Sequence, residues 1–245
     1  MRNFTSVNDI ESIKRAIENA KYVKENPFAD QHLGKNKTIM LIFFNSSLRT
    51  RLSTQKAALN LGMNAIVLDI NQGAWKLETE RGVIMDGDKS EHILEAIPVI
   101  GSYCDIIGVR SFAKFEKKSD DYEEVIINQF IKYSGRPVIS LESATVHPLQ
   151  SYADLITIEE YKKCEKPKVV LTWAPHPKSL PQAVANSFSE WMNRTDYEFV
   201  ITHPKGYELD EKFVQGARVE YDQEKAFEGA DFIYAKNWSV YQDPN

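Results

Sequence analysis

The sequence predicts an α/β protein built from two parallel-sheet domains, the second of them incomplete. Three observations carry this reading. Near-continuous apolar segments recur at 38–44, 65–68, 105–109 and 137–140, and strands of that character are covered on both faces, as in parallel sheets. Helical patterns separate them at 53–61, 91–103 and 122–133, the alternation expected of βαβ units. A second alternating series then begins beyond residue 164 and stops soon after its last strand.

Taken in order, the first series opens with the run TIMLIFF at 38–44 and closes with the strand at 137–140. The stretch 148–164 is helical and then charged, and is read as the bridge between domains. The second series comprises a strand at 168–172, a helix at 181–191, strands at 198–201 and 218–221, a short helix at 225–229 and a strand at 231–235. No closing helix follows, so the expected division is one domain over 1–150 and a partial one over 151–245.

Composition bounds the function. The 245 residues are 42% hydrophobic and 27% charged, a globular balance rather than a disordered one. A net charge of -5 gives nucleic acid no attraction, though it leaves room for a local basic pocket. The two cysteines, Cys104 and Cys164, form no disulfide framework and no metal-ligand pattern; both are expected to be buried in a reducing cytoplasm. The first 18 residues are charged and helical rather than signal-like, and no apolar run reaches the ~20 residues of a membrane span.

The chemistry is expected where strands end. Asn45-Ser46-Ser47-Leu48-Arg49-Thr50-Arg51 takes the chain from a buried strand directly into a helix. A helix start offers unpaired N–H groups and the positive end of its dipole, so it attracts anions. Ser47 and Thr50 add hydroxyls, and Arg49 a guanidinium fork suited to phosphate. The plain alternative is a serine cap with solvent-facing arginines. His147-Pro148-Leu149-Gln150 is a second strand-to-helix step, and an imidazole with a carboxamide can hold a group bearing both C=O and NH2. Its plain alternative is a structural histidine at a common helix start. Arg110 ends the strand at 105–109, on the sheet edge where α/β proteins bind ligands, or is simply a solvated charge.

With these residues together, the sequence resembles the aspartate/ornithine carbamoyltransferase family. The S-x-R-T signature matches Ser47-Leu48-Arg49-Thr50 and the H-P-x-Q signature matches His147-Pro148-Leu149-Gln150, in the family's order and separation. Phe43-Phe44-Asn45, Gly73-Ala74-Trp75-Lys76-Leu77-Glu78 and Trp173-Ala174-Pro175-His176-Pro177 resemble the branch acting on N-acylated ornithine. The D-x-x-x-S-M-G motif of ordinary ornithine enzymes is not found, and neither G-x-G-x-x-G nor G-x-x-x-x-G-K-[ST] occurs.

The resemblance implies the transcarbamylase fold and a carbamoyl phosphate site at Ser47, Leu48, Arg49, Thr50, Trp75, Arg110, His147 and Gln150. It implies catalytic roles for Arg110, His147 and Thr50, and acylornithine contacts at Glu142, His176 and Lys236. It further implies a homotrimer in which Trp75 reaches a neighbouring subunit's site, with no cofactor and no metal. Apart from the family, Trp75 reads as a loop indole half-buried on its own domain. Glu142, His176 and Lys236 then read as a loop carboxylate, a turn histidine and a strand-end lysine. Arg51 and Lys56 are expected to be helix-face charges, and His32, His92 and His203 receive no role.

Two departures shape the expectation. Ser90 follows Asp86-Gly87-Asp88-Lys89 where succinyl-type enzymes tend to carry proline and acetyl-type enzymes glutamate. Serine brings no carboxylate to repel a succinyl tail, so charge favours N-succinylornithine as acceptor over N-acetylornithine. The family's H-C-L-P segment is also absent from the sequence. This leads to the expectation of a truncated chain with an incomplete acceptor site, the non-enzymatic alternative being an inactive phosphometabolite-binding fragment of the same fold.

Overall fold

The computed structural model describes residues 2–70, 76–178 and 180–241. In chain order its first elements are α1 (Ile13–Glu25), β1 (Thr38–Phe43), α2 (Leu48–Asn60), β2 (Asn64–Asp69), β3 (Leu77–Glu78), β4 (Glu91–His92), α3 (Ile93–Ser102) and β5 (Ile106–Arg110). There follow α4 (Lys118–Tyr122), α5 (Val125–Tyr133), β6 (Val138–Glu142), α6 (Pro148–Tyr161), β7 (Lys168–Trp173) and α7 (Ala183–Met192). The last are β8 (Glu198–Thr202), α8 (Glu211–Val214), β9 (Arg218–Val219), α9 (Gln223–Phe227) and β10 (Phe232–Lys236). Two compact units result: the described parts of Met1–Thr5, Lys21–Phe112 and Glu123–Ser143, and those of Ser6–Ala20, Ala113–Tyr122 and Ala144–Asn245.

The first unit is organised on a four-stranded parallel sheet in the order β2-β1-β5-β6. Met40 and Ile42 of β1, Ile107 and Val109 of β5 and Val138 of β6 are buried with Ile93 and Ile97 of α3 and Ile127 and Phe130 of α5. Each such burial stabilises by about 1.5–3 kcal/mol relative to exposure. Gly108 keeps β5 close to its neighbours, since a Cβ there would stand 3.0 Å from a Leu41 methyl and 3.1 Å from Leu141. From β1 the chain adds β2 on one side and then crosses to place β5 on the other. That reversal makes a switch point at the carboxyl ends of β1 and β5, where open α/β sheets bind ligands.

Several expectations shift. The helix foreseen at 53–61 begins instead at Leu48, because Ser47 caps it. The strand foreseen at 65–68 is not covered on both faces: β2 is a sheet edge, and Ile66 is 45% exposed. Glu91 and His92 pair in parallel with Leu77 and Glu78 rather than opening the helix, which starts at Ile93 with His92 as its cap. The helix foreseen at 122–133 breaks at Glu124, whose φ of 51° is left-handed, leaving α4 and α5.

The second unit carries its own parallel sheet, in the order β10-β7-β8-β9. Val169, Val170 and Leu171 of β7 and Val200 and Ile201 of β8 are fully buried. All ten residues of α7 are buried, with Phe188 stacked on Tyr234 at 4.2 Å. Here the reversal falls between β7 and β10, which places Trp173 and Lys236 side by side at a second switch point. Cys104 is buried as expected, but Cys164 is exposed because it lies in the charged segment following α6. Among the described residues no helix is long and apolar enough to cross a membrane. Nor is there among them a cluster of three or more His, Cys, Asp or Glu able to hold a metal ion.

Candidate functional site

In the first unit the site begins with the cap of α2. Ser47 is extended (φ −153°, ψ 131°), and its hydroxyl accepts the Thr50 N–H at 3.3 Å. One orphan donor of the helix start is thereby satisfied, and the dipole end of a 13-residue helix remains open to an anion. Arg49 and Leu48 are exposed, while Ser47 and Thr50 are half-buried. The Thr50 carbonyl accepts the Thr54 hydroxyl at 2.7 Å, which tightens the first turn. Arg51, expected to be a helix-face charge, ties α2 to the end of β2 through Asp69 at 2.7 Å. Lys56 lies over the Phe28 ring, 5.5 Å from its centroid.

Arg110 stands beside Phe43 in the sheet register, one strand from the capped helix. It is not a solvated charge: only 7% of it is exposed. Its Nη1 donates to the carbonyls of Asn45 (2.9 Å) and Ser46 (2.6 Å), and its Nη2 to Glu142 Oε2 (2.9 Å). Its guanidinium lies 4.2 Å from the centre of the Phe112 ring. The buried Nε has no hydrogen-bond partner among the described residues. Burial pulls this guanidinium below its ordinary pKa, and Glu142 opposes that pull. Asn45 closes the arrangement from the other side, its side-chain oxygen accepting the Phe112 N–H at 2.8 Å. The strand-end loop before Ser47 is therefore clasped twice to the end of β5.

Glu142, placed by the resemblance against the acceptor, is buried at the end of β6 and holds Arg110. Ser90 is exposed, and its N–H donates to the Lys76 carbonyl at 3.2 Å. Nearby, Lys76 pairs with Asp88, and Lys89 with Glu78 at 2.8 Å; the Lys89 hydrogen bond holds the Glu78 carboxyl down at about 2. Trp75 lies outside the described residues.

In the second unit, His147 occupies the N-cap position of α6 with Pro148 as the first helical residue, and its side chain makes no cap bond. It is buried, 9% exposed. Gln150 in the first turn donates from Nε2 to Asp154 Oδ1 at 2.9 Å. Lys236 ends β10, and its carbonyl accepts the Ala174 N–H at 3.0 Å. His176, two residues further on, is exposed, with Nδ1 3.1 Å from the Lys178 N–H. Both lie at the second sheet's switch point.

Sequence reasoning missed Asn45 and Asp154 as partners of site residues: Asn45 reads only as part of a segment marking the branch, and Asp154 lies outside the signatures. His203, given no role by the sequence, is buried with its ring edge-on to Trp238 (6.3 Å) and Tyr221 (5.5 Å).

Fold and site define a parallel α/β protein with an open helix start and a buried arginine at the switch point of its first sheet. Comparison with known proteins is more specific. Residues 2–160 match the model of the aspartate/ornithine carbamoyltransferase, carbamoyl-P binding domain. The chain is 74% identical over 245 residues to the N-succinylornithine carbamoyltransferase of Bacteroides fragilis (strain 638R), covering all of this chain and 77% of that protein. It is 39% identical over 240 residues to the N-acetylornithine carbamoyltransferase of Xylella fastidiosa (strain Temecula1 / ATCC 700964), covering 91% and 71% respectively. Among solved structures it superposes with a TM-score of 0.91 and 36% identity on an N-acetyl-L-ornithine transcarbamylase, across 98% of this chain and 77% of that one. That relative is a variant with one glutamate replaced by serine, complexed with carbamyl phosphate and N-succinyl-L-norvaline. The chain belongs to the aspartate/ornithine carbamoyltransferase family.

Proposed function

We propose that this protein transfers the carbamoyl group of carbamoyl phosphate to the side-chain amine of N-succinyl-L-ornithine, giving N-succinyl-L-citrulline and phosphate. The reaction would serve arginine biosynthesis in the cytoplasm. One observation carries the reading furthest: identity of 74% along the whole chain to a relative named for that reaction. The capped start of α2 and the buried Arg110 at one switch point supply the physical support.

In this reading Ser47, Leu48, Arg49, Thr50 and the start of α2 hold the phosphate, joined by Trp75 of a neighbouring subunit in a homotrimer. Arg110, His147 and Thr50 serve the carbonyl oxygen and stabilise the charge that gathers there as the amine attacks. Gln150 holds the carbamoyl NH2. A bond forms from the amine nitrogen to the carbonyl carbon, the bond from that carbon to the phosphate oxygen breaks, and the amine proton leaves with the phosphate. Positioning of two substrates and fixed donors supplies the acceleration. Glu142, His176 and Lys236 are assigned to the acylornithine.

Ser90 is assigned to acyl selection. The serine-substituted relative complexed with N-succinyl-L-norvaline favours the succinyl acceptor here, because a serine leaves no carboxylate to repel the succinyl tail. Initial rates with N-succinyl- and N-acetyl-L-ornithine at equal carbamoyl phosphate test the assignment. Faster turnover of the succinyl substrate is expected, and preference for the acetyl substrate would overturn it.

A further inference from the structure

We propose that Asp154 is a positioning residue that locks the Gln150 carboxamide with its oxygen presented to the ligand, so that the site selects a carboxamide over a carboxylate. The proposal rests on the reading of Gln150 as the partner of the carbamoyl NH2.

Gln150 and Asp154 are one turn apart on α6, and the i,i+4 spacing sets their side chains on one face. Nε2 of Gln150 donates to Asp154 Oδ1 at 2.9 Å. An ionised carboxylate only accepts, so it fixes which end of the amide faces it. The amide nitrogen is thereby committed to Asp154, and Oε1 has no hydrogen-bond partner among the described residues. An exposed oxygen acceptor matches an NH2 group and repels a carboxylate. A glutamine without this neighbour could turn over and offer its own NH2, accepting either ligand.

Oδ2 of Asp154 is buried and has no hydrogen-bond partner among the described residues. Tyr234 and Lys236 of β10 favour its ionised form, and the Tyr234 ring is stacked on Phe188 at 4.2 Å with planes 12° apart. Burial pushes the Asp154 carboxyl above its ordinary range, while Gln150, Tyr234 and Lys236 all pull it back. The ionised form therefore depends on the donors around it, Gln150 among them.

Phosphonoacetamide and phosphonoacetate differ only in the group Gln150 would read, and calorimetric titration of each gives an amide-over-carboxylate affinity ratio. The wild-type protein should prefer the amide. Asp154→Asn should narrow the ratio about tenfold, or about 1.4 kcal/mol, because asparagine can donate as well as accept. Asp154→Ser should narrow it likewise, and Asp154→Glu should largely retain it. Gln150→Ala should also narrow the ratio, and adding Asp154→Asn to that variant should change it no further. A wild-type ratio in Asp154→Asn alongside a narrowed ratio in Gln150→Ala would overturn the positioning role, as would additive effects in the double variant. An unchanged ratio in Gln150→Ala would instead remove the assignment of Gln150, and the proposal with it.

Discussion

Arg110 Nη2 donates to Glu142 Oε2 at 2.9 Å, with both side chains over nine-tenths buried. The other end of the guanidinium holds the carbonyls of Asn45 and Ser46. Glu142 thus neutralises the residue that shapes the loop leading into α2. Burying one charge without its partner is the costly arrangement.

Replacing Glu142 by Ala should therefore destabilise the protein by about 3–5 kcal/mol. Combining it with Arg110→Met should recover part of that loss. Guanidinium denaturation of the single and double variants measures both. A cost below about 1 kcal/mol for Glu142→Ala would show that the pair is not isolated from solvent in the way described.

At Ser47 the capping and ligand roles separate. Ser47→Ala removes the acceptor for the Thr50 N–H and should cost about 1 kcal/mol. Ser47→Asp keeps a good cap, so stability should hold, but its charge stands where the phosphate is proposed to bind. Carbamoyl phosphate binding should then be lost without loss of fold. Retained binding in Ser47→Asp would contradict the placement of the phosphate.

Glu190 gives a pH signature unrelated to catalysis. Burial within α7 pushes its carboxyl up from about 4.5 to about 7, against Lys212 and Asn8. The unfolded chain ionises this group at the lower value, so its stabilising contribution is present below about pH 4.5. It is lost as the pH rises to about 7, because the fold penalises the charged form. Glu190→Gln should gain on the wild type between pH 5 and pH 8 by about 1–3 kcal/mol, read from denaturation midpoints at the two pH values. A constant difference across that range would count against a buried, perturbed carboxyl.

Much of this was legible in sequence because parallel strands are written as apolar runs. β1 and β7 read plainly, being buried almost end to end. Edge strands were harder: β2 mixes exposed and half-buried positions, and β9 is two exposed residues where four had been expected. Sheet order was not readable at all, since it depends on which strand the chain crosses, and the switch points follow from it. The same holds for the site. Ser47, Arg49 and Thr50 belong to one helix start and carry a local signal. The clasp of Arg110 on residues 64 and 65 positions earlier in the chain carries none.

The phosphate grip at the start of α2 is the centre of the proposed function. Calorimetric titration of carbamoyl phosphate into the wild-type protein and into Arg49→Ala tests it, since exposed Arg49 makes a clean deletion there. Loss of a charge-assisted hydrogen bond of up to about 3 kcal/mol predicts affinity weaker by about 100-fold. Equal affinity in the two proteins would contradict the assignment of Ser47–Thr50 as the carbamoyl phosphate site.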